Sequence, residues 1–409
     1  MSATLVSPLV SFCVPTFNRA RYLDSLLGML AQQLVDFPYS YEVFVSDNAS
    51  TDETPEVLAR HESALPLRCV RQSENRGGGG NWQYLMSQAR GTYAMYLADD
   101  DAVLGEQVAR TIAKMEADPS IGIVYAPWML YDLVNDRTHG EFYRQDRDVL
   151  VPQGEHAALL DAVLRFSAFP EIFISRASVL KQVMPRHNEQ AFFAFVHSAE
   201  FLQRSAVLLQ KEPFYVSITN YFADENRSQA GNTEAEYAWD RYRGGLEYML
   251  GRASDTLTAP QRLAFSERIQ HLIAQRISVA VRLRNAHGRD PVETYYLAYR
   301  LKAMGEARML PLPMAQLRGQ AALGFLATDP ELNRGVSQLI CVGDFQPDVQ
   351  EFLRRQTRMP IRFETDDAAL ADARDALVFA GNQARLGALP QRADLRVVHE
   401  RELLQKYPA

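Results

Sequence analysis

Cysteine is scarce, and its three copies, Cys13, Cys69 and Cys341, make no disulfide framework. No CxxC occurs, so no thiolate metal site is expected. Cys13 lies inside an apolar run, where a free thiol behaves as a small hydrophobe, and the usage as a whole points to a reducing compartment. Long apolar runs are missing too. Nowhere do about 18 apolar residues pass without a charge, so no membrane span is expected, and a membrane would be met from the water side. Met1 to Pro8 has neither a basic residue nor a long apolar core, so no secretory leader is expected. Basic clusters are also absent. Lys and Arg number 43 against 50 Asp and Glu, and without a phosphate-neutralising patch a nucleic-acid partner is excluded. There is no internal repeat and no low-complexity segment. What is present is ordinary globular composition, 47% hydrophobic and 23% charged, which excludes disorder. The 409 residues suggest two to three domains at about 150 residues each.

The first hundred residues alternate strand, loop and helix four times. Leu9–Val14 reads as a buried strand, Tyr41–Ser46 as a second, Leu67–Arg71 as a third and Tyr93–Leu97 as a fourth. Helical stripes stand between them, the first carrying Tyr22, Leu23, Leu26, Leu27, Leu30 and Leu34. The rhythm predicts a parallel sheet with helices on both faces, and such sheets bind ligands beyond the carboxyl ends of their strands. The polar clusters Thr16–Arg19, Asp47–Asp52 and Asp99–Asp101 all fall at those ends and are expected to share one crevice.

Each cluster has a functional and a structural reading. Three consecutive aspartates repel, by about 1 kcal/mol per pair at 4 Å even in water. Either a divalent cation relieves them, as hard oxygen ligands suit Mg²⁺ or Mn²⁺, or Asp101 caps the helix expected over Val103–Met115. Asp47 stands first after its strand, where a carboxylate can accept from the imide N–H of a uracil; Asp52 reads as a cap or turn residue. The glycines at 77–80 lack the Lys-Ser/Thr of a phosphate-binding P-loop and the GxGxxG spacing, so they read as a flexible turn before a helix. Arg76 beside them suits a diphosphate.

Four motifs in order, Val14-Pro15-Thr16-Phe17-Asn18-Arg19, Val45 to Asp52, Asn75-Arg76-Gly77 with Asn81, and Gly91-Thr92-Tyr93 leading to Leu97-Ala98-Asp99-Asp100-Asp101, resemble the family 2 glycosyltransferases. The match runs from Leu9 to about Pro127 and more loosely to about Asn226. It implies an α/β, nucleotide-diphospho-sugar-binding fold of the glycosyltransferase A type, a divalent cation (Mn²⁺ or Mg²⁺) and inversion at the anomeric carbon. Carried over residue by residue, Pro15, Thr16, Asn18 and Arg19 fall on the loop that touches the nucleoside, Asp47 on the base-reading carboxylate and Arg76 on a loop bordering base and diphosphate. Aligning Leu97 with the family's Leu-Asp-x-Asp-Asp puts Ala98 at the first Asp, Asp100 at the usual metal position with Asp101 next to it, and Asp99 toward the ribose. The resemblance also implies a UDP-type donor, a glycan or lipid-linked acceptor, and a place in the cytoplasm or at the inner face of the membrane.

The second half is expected to bind the acceptor and to supply a base. Ile121–Trp128, Phe169–Ser175 and Phe214–Thr219 read as further strands. Glu200 follows an aromatic run (Phe192, Phe193, Phe195) and enters an apolar helix; partial burial is expected to raise its pKa, which favours a general base. His197, three residues earlier, is the rival. In the polar loop Asn220–Asn232, Arg227 and Ser228 are candidate diphosphate donors. Domain boundaries are expected at 1–234 for the catalytic domain, 235–331 for a helical region and 332–409 for a small α/β module complete in itself, with a helix over Ala368–Asp375. The alternatives are a nucleotidyltransferase, against which the opening loop Pro15–Arg19 argues, and an inactive carbohydrate-binding or scaffold protein with the same fold.

Overall fold

The computed structural model describes residues 7–183, 189–224, 230–382, 384 and 392–407. Its opening follows the expected alternation: β1 (Val10–Thr16), α1 (Ala20–Gln33), β2 (Tyr41–Asp47), α2 (Thr54–His61), β3 (Leu67–Arg71), α3 (Gly77–Ser87) and β4 (Tyr93–Tyr96). In β1 Val10, Phe12, Cys13 and Val14 are all fully buried. Both faces are covered, as a continuous apolar run in a parallel strand requires. Helix α1 buries Tyr22, Leu23, Leu26, Leu27 and Leu30, the stripe seen in the sequence.

The chain continues through β5 (Ala102–Val103), α4 (Gly105–Ala117), β6 (Ile121–Tyr125), β7 (Met129–Asp132), β8 (Arg137–Glu141), β9 (Val149–Val151) and α5 (His156–Phe166). It then forms β10 (Phe173–Arg176), α6 (Ala177–Val183), α7 (Phe193–Leu202), β11 (Ala206–Leu209) and β12 (Tyr215–Asn220). An eight-stranded sheet runs β3-β2-β1-β4-β10-β6-β11-β9, and a four-stranded one runs β5-β12-β7-β8. The sheet is mixed rather than wholly parallel, because β10 enters antiparallel between β4 and β6. That insertion carries residues near 171 to the strand-end edge of β4.

A buried carboxylate ties the first three strands together. Glu42 on β2 accepts from Ser11 Oγ at 2.6 Å, from Arg68 Nε at 2.7 Å and Nη2 at 3.1 Å, and from the Arg90 amide at 3.1 Å. Burial pushes its pKa up, but the bonds from Arg68, Ser11 and Arg90 outweigh this and hold it below the ordinary value of 4.5. A depressed folded pKa contributes stability that is fully present above about pH 4.5 and is lost as pH falls through the lower folded value. Glu42→Gln is expected to cost about 2 kcal/mol at neutral pH, read by urea melts, and to flatten the fall in stability below pH 4.5. A variant with the wild-type acid limb would remove Glu42 from that account.

The chain divides into two compact units, residues 1–233 with 240–273, and residues 234–239 with 274–409. The helical stretch expected as a separate region at 235–331 is therefore shared out between them. It comprises α8 (Ala230–Tyr237), α9 (Trp239–Ala253), α10 (Ala259–Ala286), α11 (Pro291–Ala303) and α12 (Met314–Thr328). The second unit ends in β13 (Gln338–Val342), α13 (Pro347–Gln356), β14 (Ile361–Glu364), β15 (Ala376–Ala380), β16 (Leu395–His399) and α14 (Glu400–Gln405). These strands form a parallel sheet in the order β14-β13-β15-β16. The sheet is its own and packs a cluster of its own, Ile340, Val342, Leu370, Ala373, Ala376 and Val378, but its last residues also pack on the helices before it. Tyr407 packs edge-on against Tyr295 of α11 at 5.3 Å, and Arg318 of α12 donates to the Leu404 carbonyl at 2.7 Å. A cut near Leu332 severs a shared core rather than a linker. Where a helix over Ala368–Asp375 was expected, only a 3₁₀ turn, Asp367–Leu370, forms.

Candidate functional site

Strands β1, β2 and β4 end side by side: Thr16 is in register with Asp47, and Cys13 with Tyr96. The three loops that leave them are stitched by side chains. Asn18, at φ 51°, accepts from the Thr51 amide at 2.7 Å, and its own amide donates to Ser50 Oγ at 2.9 Å. Asp52 accepts from the Ala20 amide at 2.9 Å and from Thr54 Oγ1 at 2.6 Å, which bears out its reading as a cap. Asp47 is buried and closes its own turn by accepting from the Ser50 amide at 2.8 Å; its other oxygen lies 3.7 Å from Arg71 Nε. Arg76 caps α3, its amide donating to Asn48 Oδ1 at 2.9 Å, and its guanidinium lies 5.3 Å from the Tyr84 ring centre.

The acidic run converges on β1. Thr16 Oγ1 donates to Asp99 at 2.8 Å. Arg19, expected on the nucleoside, instead bridges two carboxylates: Nη1 lies 3.0 Å from Asp99, and Nη2 pairs with Asp100. Burial lowers its pKa, but the charges of Asp99 and Asp100 raise it further, so the guanidinium stays charged. Asp101 differs from its neighbours. One of its oxygens accepts from Tyr215 Oη at 2.8 Å and the other from the Ile218 amide at 2.9 Å. It braces β12 against the acidic loop, which takes it away from the metal role expected beside Asp100. No group of three or more His, Cys, Asp and Glu among the described residues is arranged to hold a metal by itself. The donor set still suits a hard divalent ion. Asp99 and Asp100 already gather one positive charge between them, and Mg²⁺ is ordinarily held by one or two carboxylates plus substrate phosphates.

Neither candidate base is placed as expected. His197 is fully buried among the rings of Trp82, Phe173 and Phe201, with Nδ1 3.1 Å from Tyr125 Oη. Desolvation lowers its pKa to about 3, so it is a neutral core imidazole. Glu200 is engaged by Tyr248 Oη, by Arg204 at 3.1 Å and by Arg252 at 3.9 Å. Burial raises its pKa, but the Tyr248 bond and the two arginines bring the net shift below the ordinary value. The upward shift expected from its aromatic surroundings is reversed. Arg227 and Ser228 lie outside the described residues.

Two residues that sequence reasoning passed over meet at a cavity of about 290 Å³. Trp82 of α3 and Glu171, just before β10, line it together with Tyr96 at the end of β4. The signals were faint: a lone acid inside the apolar run Phe169–Ser175, and the first aromatic after the glycines. Those glycines are not a turn before the helix; they are its first turn, Gly77–Gly80. Gly77, at φ 71°, holds a left-handed position that suits glycine, whereas Gly78, Gly79 and Gly80 each cost up to about 1 kcal/mol relative to alanine in a helix. Yet an added Cβ at Gly78 or Gly79 would meet no atom within 4 Å, so packing does not explain the choice.

Residues 11–179 match the family model described as Glycosyl transferase family 2. This segment belongs to that family. Its fold is the glycosyltransferase A type, an α/β mixed sheet. The chain is 33% identical over 146 residues to abequosyltransferase RfbV of Salmonella typhimurium, covering 35% of this chain and 44% of that one. It is 35% identical over 95 residues to the poly(ribitol-phosphate) beta-N-acetylglucosaminyltransferase TarS of Staphylococcus aureus, 23% of this chain and 16% of that one. The chain thus spans less than half the length of these curated relatives. The crystal structure of TarS 1–349 in complex with UDP-GlcNAc superposes at a TM-score of 0.43 with 18% identity, over 73% of this chain and 89% of that one. Among the described residues no helix is long and apolar enough to cross a membrane.

Proposed function

We propose that the chain moves a sugar from a nucleotide-diphospho-sugar to an acceptor hydroxyl, with inversion, in the synthesis of a glycan. The observation that carries this reading is the gathering of Thr16, Arg19, Asp99 and Asp100 at the ends of β1 and β4, beside the Asp47 turn. The family 2 match and two relatives named as sugar transferases support it. Asp47, with Asn18 and Thr51 holding its loop, faces the base, and UDP is the first nucleotide to test. Arg76 borders the diphosphate. Asp100 and Asp99 would hold Mn²⁺ or Mg²⁺, whose charge would offset that of the leaving diphosphate. Arg19 supplies a second, fixed positive charge at the same strand ends.

The acceptor proton needs a carboxylate within hydrogen-bond reach of the attacking hydroxyl. Glu171, and not Glu200, is among the residues lining the cavity that also reaches Tyr96, three residues ahead of the acidic run. We therefore assign the base to Glu171. Glu171→Gln is expected to lower kcat about 100-fold, the ordinary worth of a general base, with nucleotide affinity unchanged. Glu200→Gln should keep turnover within a few-fold. Single-turnover kinetics on both variants decide this; the reverse pattern returns the role to Glu200. For the reading as a whole, a melting panel of UDP-, dTDP- and GDP-sugars with and without Mn²⁺ is the test. A ligand at 100 times its Kd stabilises by about 2.7 kcal/mol. No shift with any nucleotide, and no donor hydrolysis, would overturn it.

A further inference from the structure

The sheet of the second unit ends in two edge strands, and they are unlike. Among the described residues β14 and β16 each pair with one neighbouring strand. β16 carries Arg396 and His399 and no acid, the one-signed pattern that guards an exposed edge against a further strand. β14, Ile361-Arg362-Phe363-Glu364, carries one charge of each sign. The Leu339 amide donates to the Pro360 carbonyl at 2.9 Å, and the Gly343 amide to that of Glu364 at 2.8 Å. Alternate residues of a parallel strand bond to the same neighbour. The backbone groups of Arg362 and Glu364 therefore turn inward to β13, and the N–H and C=O of Phe363 turn out to the free edge. Arg362 and Glu364, in register with Ile340 and Val342, share one face of the sheet. Helix α13 covers the other, where Arg354 lies 4.9 Å from the Phe363 ring centre. The acids of α13, Asp348 and Glu351, stand before its arginines, Arg354 and Arg355. A helix that joins two parallel strands runs back against them, so its arginines lie toward the Arg362 end of β14 and its acids toward the Glu364 end. This border of the sheet has a basic pole and an acidic pole.

We propose that the outer edge of β14 pairs antiparallel with the same edge of a second copy of this chain, about a two-fold axis at Phe363. The axis sets the outward N–H of each Phe363 against the carbonyl of the other. It also places each Arg362 directly across from the Glu364 of the other copy, in a pair whose Cβ atoms stand about 4.5–5.5 Å apart. A two-fold contact uses the same patch twice and must complement itself. Here it does, because rotation lays each basic pole on the opposite acidic pole, for the strand and for α13 alike. The register is fixed by the same charges. A slip of two residues keeps the backbone bonds but sets Arg362 on Arg362 or Glu364 on Glu364, which is destabilising. The occupant is a second copy because the charge order of this edge is the one its own rotated image needs. A strand this short covers less than the roughly 1,200–2,000 Å² of a standard stable interface, so the dimer is weak.

Sedimentation equilibrium of the full chain tests this. The expected result is a monomer at about 1 µM, a dimer populated by about 300 µM, and a weaker dimer in about 0.5 M salt, which screens exposed charge pairs. Arg362→Glu and Glu364→Arg each set like charges across the axis, and each should weaken the dimer about tenfold or more. Mixed in equal amounts, these two variants oppose unlike charges at both positions, so the mixture should regain the wild-type dimer although neither forms it alone. Both substitutions lie on an edge strand, and circular dichroism checks that each variant stays folded. Hydrogen exchange on wild type needs no variant: the Phe363 amide should exchange more slowly as concentration rises. A monomer at every concentration overturns the proposal. So does a dimer indifferent to both substitutions, or one that leaves Phe363 exchange unchanged. A mixture that stays monomeric while wild type dimerises overturns the antiparallel register. None of these residues is assigned to sugar transfer, so either result leaves that reading where it stands.

Discussion

Asp100→Ala is expected to lower kcat/KM for sugar transfer by about a thousandfold and to leave the melting temperature within a degree or two. The loss is roughly 4 kcal/mol of transition-state stabilisation at 1.36 kcal/mol per factor of ten, in the range for removal of a metal-holding group. Stability is spared because Asp100 is one of three carboxylates crowded at one strand end. Deleting one relieves repulsion among the others, while Arg19 keeps Asp99 as its partner at 3.0 Å. Charge offsets here: an ion pair is lost and a like-charge contact goes with it. The same variant should lose the Mn²⁺-dependent part of UDP binding and keep the metal-independent part that depends on the Asp47 loop. Donor hydrolysis, a thermal melt and UDP titrations with and without Mn²⁺ measure all three. Near-normal turnover in Asp100→Ala would show that the register placing Leu97 on the family motif is wrong, and would move the cation toward Asp99.

The first half of the sheet was legible in the sequence because its signals are local. An apolar run such as Val10–Val14 followed by Pro15–Arg19 announces a strand end without knowledge of anything distant, and three such ends in a parallel sheet must lie together. The half beyond β4 was not, because most of its decisive contacts join residues far apart in sequence. Glu200 reads from its neighbours as a carboxylate in an aromatic setting. The Tyr248 hydroxyl, 48 residues later, donates to it, and Arg252, with the nearer Arg204, adds positive charge, so the pKa shift is reversed. His197 was overtaken in the same way, by Trp82 and Phe173 closing over it from other elements. Glu171 was missed because strand order does not reveal that β10 slips in antiparallel beside β4. That single topological step brings an acid from beyond β6 to the cavity next to Tyr96. In the second unit the strands were readable and the shared core was not, since nothing near Tyr407 points to Tyr295 and nothing near Leu404 points to Arg318.

Asp101→Ala should fail in the opposite way to Asp100→Ala, by losing the fold around the site before losing any chemistry of its own. Asp101 is buried, and both of its oxygens accept from groups that are themselves buried: the Ile218 amide on β12 and the hydroxyl of Tyr215, a residue fully enclosed in the core. Tyr215 Oη in turn accepts from the Ala98 amide at 3.2 Å, so the same carboxylate fixes the loop that carries Asp99 and Asp100. Alanine leaves two buried donors without an acceptor, each at about 1–3 kcal/mol, or roughly 4 kcal/mol together. At about 2–4 °C per kcal/mol for a unit of this size, the melting temperature falls by about 10 °C. In the Asp101→Asn variant the side-chain carbonyl can still accept from the Ile218 amide. Its NH₂, however, faces a tyrosine hydroxyl already accepting from Ala98, so only part of the loss returns. The expected order of stability is wild type, Asp101→Asn, Asp101→Ala, with Asp100→Ala beside wild type. Activity in Asp101→Asn, measured well below its melting point, should recover further than in Asp100→Asn, because a brace needs only its geometry whereas a cation ligand needs its charge. A stable but inactive Asp101→Ala would put Asp101 back among the metal ligands.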